Sequence, residues 1–205
     1  MKPLVLASLI LFCGLIAYEN KKHKKMHNNQ EKSFWAKERE ANNVRRKSLD
    51  DLEYISIPLD TFPTNLMPED ETVADCLQIL QELCSQKIVN FTGISNTDLK
   101  LMYGAPNINL LTEYDQNYTL LARTLQKWAV VLYENGYVDE TQTILEFAIS
   151  TKTDVSKSYY LLADIYKQKE QPEKIQHLID VAGTLNSALK NSIVRTLQES
   201  NPYNG

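Results

Sequence analysis

The sequence predicts an all-α repeat fold that is preceded by an N-terminal transmembrane helix and a polar helical stalk. Two observations support this prediction. Residues of the same class recur at a spacing of 34 between segments 121–154 and 155–188, and an uncharged run opens the chain at residues 4–18. A 34-residue period is typical of a helix–turn–helix unit that buries its apolar face only by stacking on its neighbours.

The two copies agree where paired helices would touch. Small residues recur at Ala129 and Ala163 and again at Ala148 and Ala182, and small side chains allow two helix axes to approach closely. Large apolar residues fill the other matched positions: Leu125 with Tyr159, Trp128 with Leu162, Leu132 with Tyr166, Ile144 with Leu178, and Leu145 with Ile179. Each copy therefore reads as one helical hairpin.

These positions resemble the tetratricopeptide repeat (TPR) pattern, in which the first helix reads W-x2-L-G-x2-Y and the second reads A-x3-F-x2-A. The second copy matches better, with Tyr159, Leu162, Ala163, Tyr166, Ile175, Ile179 and Ala182 in the pattern positions. Thr153 and Ser187 stand where the family has a closing proline. The resemblance implies TPR-like hairpins within a helical repeat domain at 71–205, ended by a capping helix at 185–199. An unrelated helical bundle is the alternative.

The uncharged run is the second signal, and Lys21, Lys22, Lys24 and Lys25 follow it directly. The run is shorter than the roughly 20 residues usual for a bilayer span. A cleaved signal peptide is the alternative, but the residues before Ala17 lack the small-x-small cleavage pattern. Because positive flanks stay in the cytoplasm, we predict a single-pass membrane protein anchored through 3–19. Its C-terminal domain would be cytoplasmic, with an extracytoplasmic domain as the alternative.

Charge is divided along the chain. Residues 19–47 hold ten Lys or Arg against four Asp or Glu, whereas residues 48–205 hold eleven against twenty-two, within a net charge of −4. A basic segment beside a span suits an anionic membrane surface, so segment 20–52 is predicted to be a basic juxtamembrane stalk. The acidic remainder would be repelled by phosphate, and nucleic acid is therefore not a predicted partner.

The segments between stalk and repeats have weaker patterns. Alternating apolar residues and three prolines predict an extended linker at 53–70. Helical spacing at 71–86 and 97–103 predicts a leading hairpin on which the repeats stack. Segments 42–47, 57–60, 93–107 and 113–118 also resemble short membrane-anchored clostridial proteins that have no assigned activity. That similarity implies a bacterial context and no particular biochemical function.

Catalytic and metal-binding motifs are not found in the sequence. Its three cysteines and three histidines lack metal-ligand spacing, and no phosphate loop or hydrolase motif occurs. We therefore predict no enzyme activity, no cofactor and no metal site. The alternative is an enzyme with an acid or base among Asp98, Glu113 and Asp115 in the 93–118 loop. These residues would equally serve to hold the loop together.

The resemblance also implies a binding surface on the outward positions of each first helix. The predicted partner-binding residues are Arg123, Gln126, Tyr133, Tyr160, Asp164 and Lys167, with Val130, Glu134, Lys157 and Gln168 beside them. Mixed charge and two tyrosines suit a short peptide or the tail of a protein partner. The predicted function is a membrane-anchored protein-interaction adaptor. Structural self-assembly is a further alternative, and the oligomeric state stays open.

Overall fold

The computed structural model describes residues 3–201, and within its first helix it describes the side chains at 12, 16, 18–22, 24 and from 31 onward. All regular structure in this part of the chain is helical. Eight α-helices follow one another: α1 Pro3–Asn42, α2 Glu71–Leu83, α3 Asn96–Tyr103, α4 Ile108–Glu134, α5 Val138–Ser150, α6 Ser156–Gln168, α7 Pro172–Gly183 and α8 Lys190–Glu199. The predicted all-α class is confirmed.

The predicted membrane anchor is contradicted. Among the residues that the structure describes, no helix is both long enough and apolar enough to cross a membrane. The uncharged run of residues 4–18 falls short of the roughly 20 residues that a span needs, and α1 continues from it directly into Glu19, Asn20 and Lys21. The prediction of a single-pass membrane protein was therefore wrong. The predicted membrane contact of the basic flank Lys21, Lys22, Lys24 and Lys25 stays a prediction.

The chain divides into two compact units. The first comprises α1, the segment that follows it to Lys47, and Asn96–Pro106. Within it α3 packs on α1, and the Thr97 hydroxyl donates a 2.6 Å hydrogen bond to the Glu38 carboxylate. Glu38 also pairs with Lys100. The polar residues of this part of α1 are thus ordered by contacts with α3.

The second unit holds Ser48–Ser95 and the chain from Asn107 onward. Its helices pack in sequence order, α4 on α5, α5 on α6 and α6 on α7, while α8 covers α6 and α7. The predicted leading hairpin is not found, because α2 packs on α4 and α3 packs on α1. Asp70 begins α2 as its N-cap, accepting a 3.0 Å hydrogen bond from the Val73 amide.

The residues that recur at a spacing of 34 form the core of this unit. Every matched apolar or small residue of the two copies is buried, including Ala129 with Ala163 and Ala148 with Ala182. Trp128 and Tyr159 are fully buried, and they are among the largest side chains in the core. The spacing therefore marks interior positions in both copies.

The segment predicted as a linker, 53–70, lies along this core. The Ile55 amide donates a 2.9 Å hydrogen bond to the Ile88 carbonyl. Phe62 is buried, and its ring makes edge-to-face contacts with Trp128 at 5.8 Å and with Phe147 at 5.4 Å between centroids. Contacts of this kind favour aromatic packing beyond simple burial, so this segment is part of the folded unit.

Candidate functional site

A cavity of about 430 Å³ lies where α2, α4 and α6 meet in the second unit. Of the predicted partner-binding residues, Arg123 and Gln126 line it, as do Val130 and Lys157 from the same predicted surface. Lys127, Val131, Val155 and Thr72 complete its walls. We call this cavity the α4–α6 face.

Electrostatics distinguish this cavity from the rest of the unit. Arg123, Lys127 and Lys157 are exposed at its rim, and no carboxylate is among the residues that line it. Lys127 lies 4.0 Å from Asp75, but both side chains are more than half exposed, so this ion pair contributes little. The floor consists of valine side chains. The α4–α6 face therefore combines positive charge with an apolar base.

The repeat geometry explains why α4 and α6 both contribute to this face. They are the first helices of the two copies, and Gln126 of α4 accepts a hydrogen bond from the buried Ser158 hydroxyl of α6. This contact links the two helices beneath the rim. Gln126 is consequently held in place by the fold.

Tyr133 and Tyr160 do not line the cavity. Both rings are half-buried and pack against the hydrophobic core. The Tyr133 hydroxyl also accepts a 2.7 Å hydrogen bond from the Gln168 side chain of α6. Sequence analysis expected these rings to be open for binding. Both rings are half-buried instead, and stacking of the two copies brings α6 against Tyr133 on α4.

Asp164 and Lys167 lie on the exposed side of α6, outside the cavity. They form a 2.9 Å ion pair one turn apart on the same helix. Exposed pairs of this kind contribute little to stability. Of the six predicted partner-binding residues, the structure thus brings together Arg123 and Gln126 only.

The carboxylates of the 93–118 loop are not assembled into one site. Asp98 belongs to the first unit and pairs with Lys37 at 2.6 Å. Glu113 and Asp115 belong to the second unit, two residues apart on α4, and residues so spaced do not face each other. Among the described residues, no group of three His, Cys, Asp or Glu side chains is placed to hold a metal ion.

Asp115 has a structural role. Its carboxylate accepts a 3.2 Å hydrogen bond from the Phe91 amide, which ties the loop to α4. Burial raises the pKa of the Asp115 carboxyl, and the hydrogen bond from Phe91 only partly offsets that rise.

Sequence analysis missed a second concave feature, on the side of the unit formed by α5 and α7. A cavity of about 610 Å³ lies among α5, α6 and α7, and one of about 340 Å³ lies beside the ends of α5 and α7. Ser150, Lys152 and Thr184 line both. We call the two together the α5–α7 trough.

Comparison of the chain with protein-family models, with curated proteins and with solved structures gives no match. The tetratricopeptide and clostridial resemblances therefore stay predictions.

Proposed function

We propose that this protein is a non-catalytic protein-interaction module, built of TPR-like hairpins, that binds a segment of a partner protein on the α4–α6 face. The observation that supports this most directly is the cavity itself, with three cations around an apolar floor. The partner segment would be acidic and would carry at least one apolar side chain.

The repeat pattern supports the architectural part of the proposal. Buried residues recur every 34 positions, and successive helices pack in sequence order. Arrays of such hairpins bury a continuous core and leave the outward side of each first helix for binding. Arg123, Gln126 and Val130 of α4 and Lys157 of α6 occupy that side.

Charge supports the choice of partner. Residues 48–205 carry a balance of eleven basic against twenty-two acidic side chains, so a rim made of three cations is a local exception. Complementary charge increases the association rate and excludes wrong partners more than it raises affinity. We therefore expect binding that weakens as salt is added.

The test uses peptides selected on the full chain from a displayed library of random octapeptides. Acidic peptides with an apolar residue should be enriched, and their affinity should fall about tenfold or more, at least about 1.4 kcal/mol, for the double variant Arg123→Glu with Lys157→Glu. The matched control is Lys190→Glu with Arg195→Glu, which makes the same charge change on α8, at a half-buried and an exposed position.

Fluorescence anisotropy at two salt concentrations would give the affinities. Equal affinity of the selected acidic peptides for the parent and for the Arg123 and Lys157 double variant would refute binding at this face. Circular dichroism melting should show that both double variants remain folded.

A further inference from the structure

We propose a second binding site that is separate from the α4–α6 face. The α5–α7 trough binds an extended peptide segment of a partner, with one large apolar side chain in the larger cavity and a carboxylate against Lys152. The inference rests on the shape of the trough, on the hydrogen-bonding state of its hydroxyl groups and on one unpaired cation.

The trough has an apolar end. Ile149, Leu162, Leu178 and Val181 line the larger cavity, and the first three are buried side chains that belong to the core. Removal of an apolar side chain from water into such a cavity is favourable roughly in proportion to the area buried. A leucine-sized or phenylalanine-sized side chain is the kind of group that this end accommodates.

Two of the charged side chains that line that end, Glu146 and Lys174, neutralise each other. The Glu146 carboxylate accepts hydrogen bonds from Gln142 at 2.7 Å, Tyr166 at 2.9 Å and Lys174 at 3.1 Å. Burial opposes ionisation of Glu146, but these hydrogen bonds outweigh it and hold its pKa below the usual range. Lys174 is thus occupied by Glu146 and does not supply a free charge for a ligand.

The middle of the trough presents acceptors. The hydroxyls of Ser150, Thr151 and Thr184 each donate a 2.7 Å hydrogen bond to a carbonyl one turn back in their own helix. Each hydroxyl proton is therefore already used, and the oxygen can only accept from a ligand. The main-chain N–H groups of an extended peptide are donors suited to such a row of oxygens.

Lys152 lies at the junction of the two cavities. Its side chain is exposed, and it takes part in no ion pair among the residues that the structure describes. Its backbone is left-handed, with φ 59°, at the position after a helix end where glycine is usual. A lysine at a position that favours glycine carries a conformational cost.

The wall opposite Lys152 is held firmly. The Asn90 side chain donates hydrogen bonds to the carbonyls of Thr151 at 2.9 Å and Lys152 at 3.1 Å. The loop that contains Asn90 is therefore attached to the end of α5. A preformed wall of this kind reduces the ordering cost of binding.

The left-handed backbone of Lys152 allows its charge to be removed without an expected loss of stability. Lys152→Gly removes the ammonium and relieves the left-handed backbone, so the variant should melt at or above the parent temperature. Glu170→Gly is the matched control, because Glu170 has φ 53° at the same kind of position after α6 and does not line the trough. Ser150→Trp is a second variant, which fills the point where the two cavities join.

Octapeptides selected on the full chain from the random library should include a class with one large apolar residue and one Asp or Glu. For this class we expect affinity to fall about tenfold for Lys152→Gly, the loss of one charge-assisted hydrogen bond. Ser150→Trp should also weaken binding, and Glu170→Gly should not. Changing the acidic residue of the peptide to its amide should weaken binding to the parent but not to Lys152→Gly.

The proposal of binding in the trough is refuted if no peptide class loses affinity for Lys152→Gly or for Ser150→Trp. It is also refuted if the amide peptide loses as much affinity for Lys152→Gly as for the parent, because the carboxylate would then act elsewhere. If every selected peptide is weakened by the Arg123 and Lys157 double variant and none by Lys152→Gly or Ser150→Trp, the α4–α6 face is supported and the trough is overturned. The two proposals therefore fail in different ways.

Discussion

Gly93 and Gly136 form a matched pair that tests the packing of the second unit. Both have left-handed backbones, with φ 79° and φ 85°. A Cβ added at Gly93 would lie 1.8 Å from the carbonyl oxygen of Asn186, whereas a Cβ at Gly136 would meet nothing within 4 Å. Alanine at either position has the same conformational cost, and only alanine at Gly93 also collides.

The difference between the two can be estimated from the structure. The left-handed backbone costs a non-glycine residue about 1–2 kcal/mol, which is all that Gly136→Ala should lose. At Gly93 the contact must also open by about 1.5 Å to reach an ordinary carbon–oxygen separation. That movement pulls Thr92 from Asn186, joined at 3.4 Å, and strains the Asn90 bonds to α5. At about 1 kcal/mol for each lost hydrogen bond, Gly93→Ala should lose about 3–5 kcal/mol.

The assay is urea unfolding of the full chain, followed by circular dichroism at the helical minimum. A third variant, Gly183→Ala, is a control that should gain stability where the other two lose it. Gly183 is helical, and a Cβ added there would meet nothing within 4 Å. Its stability should rise by up to about 1 kcal/mol. Equal losses for Gly93→Ala and Gly136→Ala would show that the loop at Gly93 does not approach Asn186 as described.

Two further variants test the core and the electrostatics. Ala163→Leu should overpack α6 and cost about 1–3 kcal/mol, because Ala163 is 1% exposed; melting at the parent temperature would contradict the repeat alignment. Burial raises the pKa of Asp115, so the stability contributed by its neutral form is present below the unfolded pKa and lost as pH rises through the folded pKa. Asp115→Asn should therefore raise stability at pH 7 and change little at pH 3 in urea titrations. A larger gain at pH 3 would contradict the direction of the shift.

The part of the fold that the sequence predicts is the part held by local contacts. Ala129, Leu125 and their counterparts 34 residues later are buried, because a helical hairpin closes through residues near each other in the chain. The contact of Gly93 with Asn186 joins positions that lie 93 residues apart, and no periodicity marks it. The partner of α3 was missed for the same reason, since α1 precedes it by more than fifty residues.

Exposure of single side chains was harder to predict than burial of the core. The repeat pattern identifies which side of α4 points outward from its own hairpin, and Tyr133 lies on that side. Stacking of α6 then half-buries Tyr133 and supplies Gln168 as its hydrogen-bond donor. Arg123 and Lys157 escape this burial because their long side chains extend to the rim of the cavity.

The α5–α7 trough did leave a signal in the sequence, in the same period that revealed the core. Ser150 and Thr184 are 34 residues apart, as are Lys152 and Asn186, and all four line the trough. Stacked repeats place equivalent positions side by side, so a hydroxyl that recurs at the end of each second helix predicts neighbouring oxygens on one surface. Polar residues that recur at the repeat period therefore come to lie together on one surface, as recurring apolar residues come to lie together in the core. Lys152 and Asn186 differ in charge at equivalent positions, so the two copies contribute chemically different side chains to the trough.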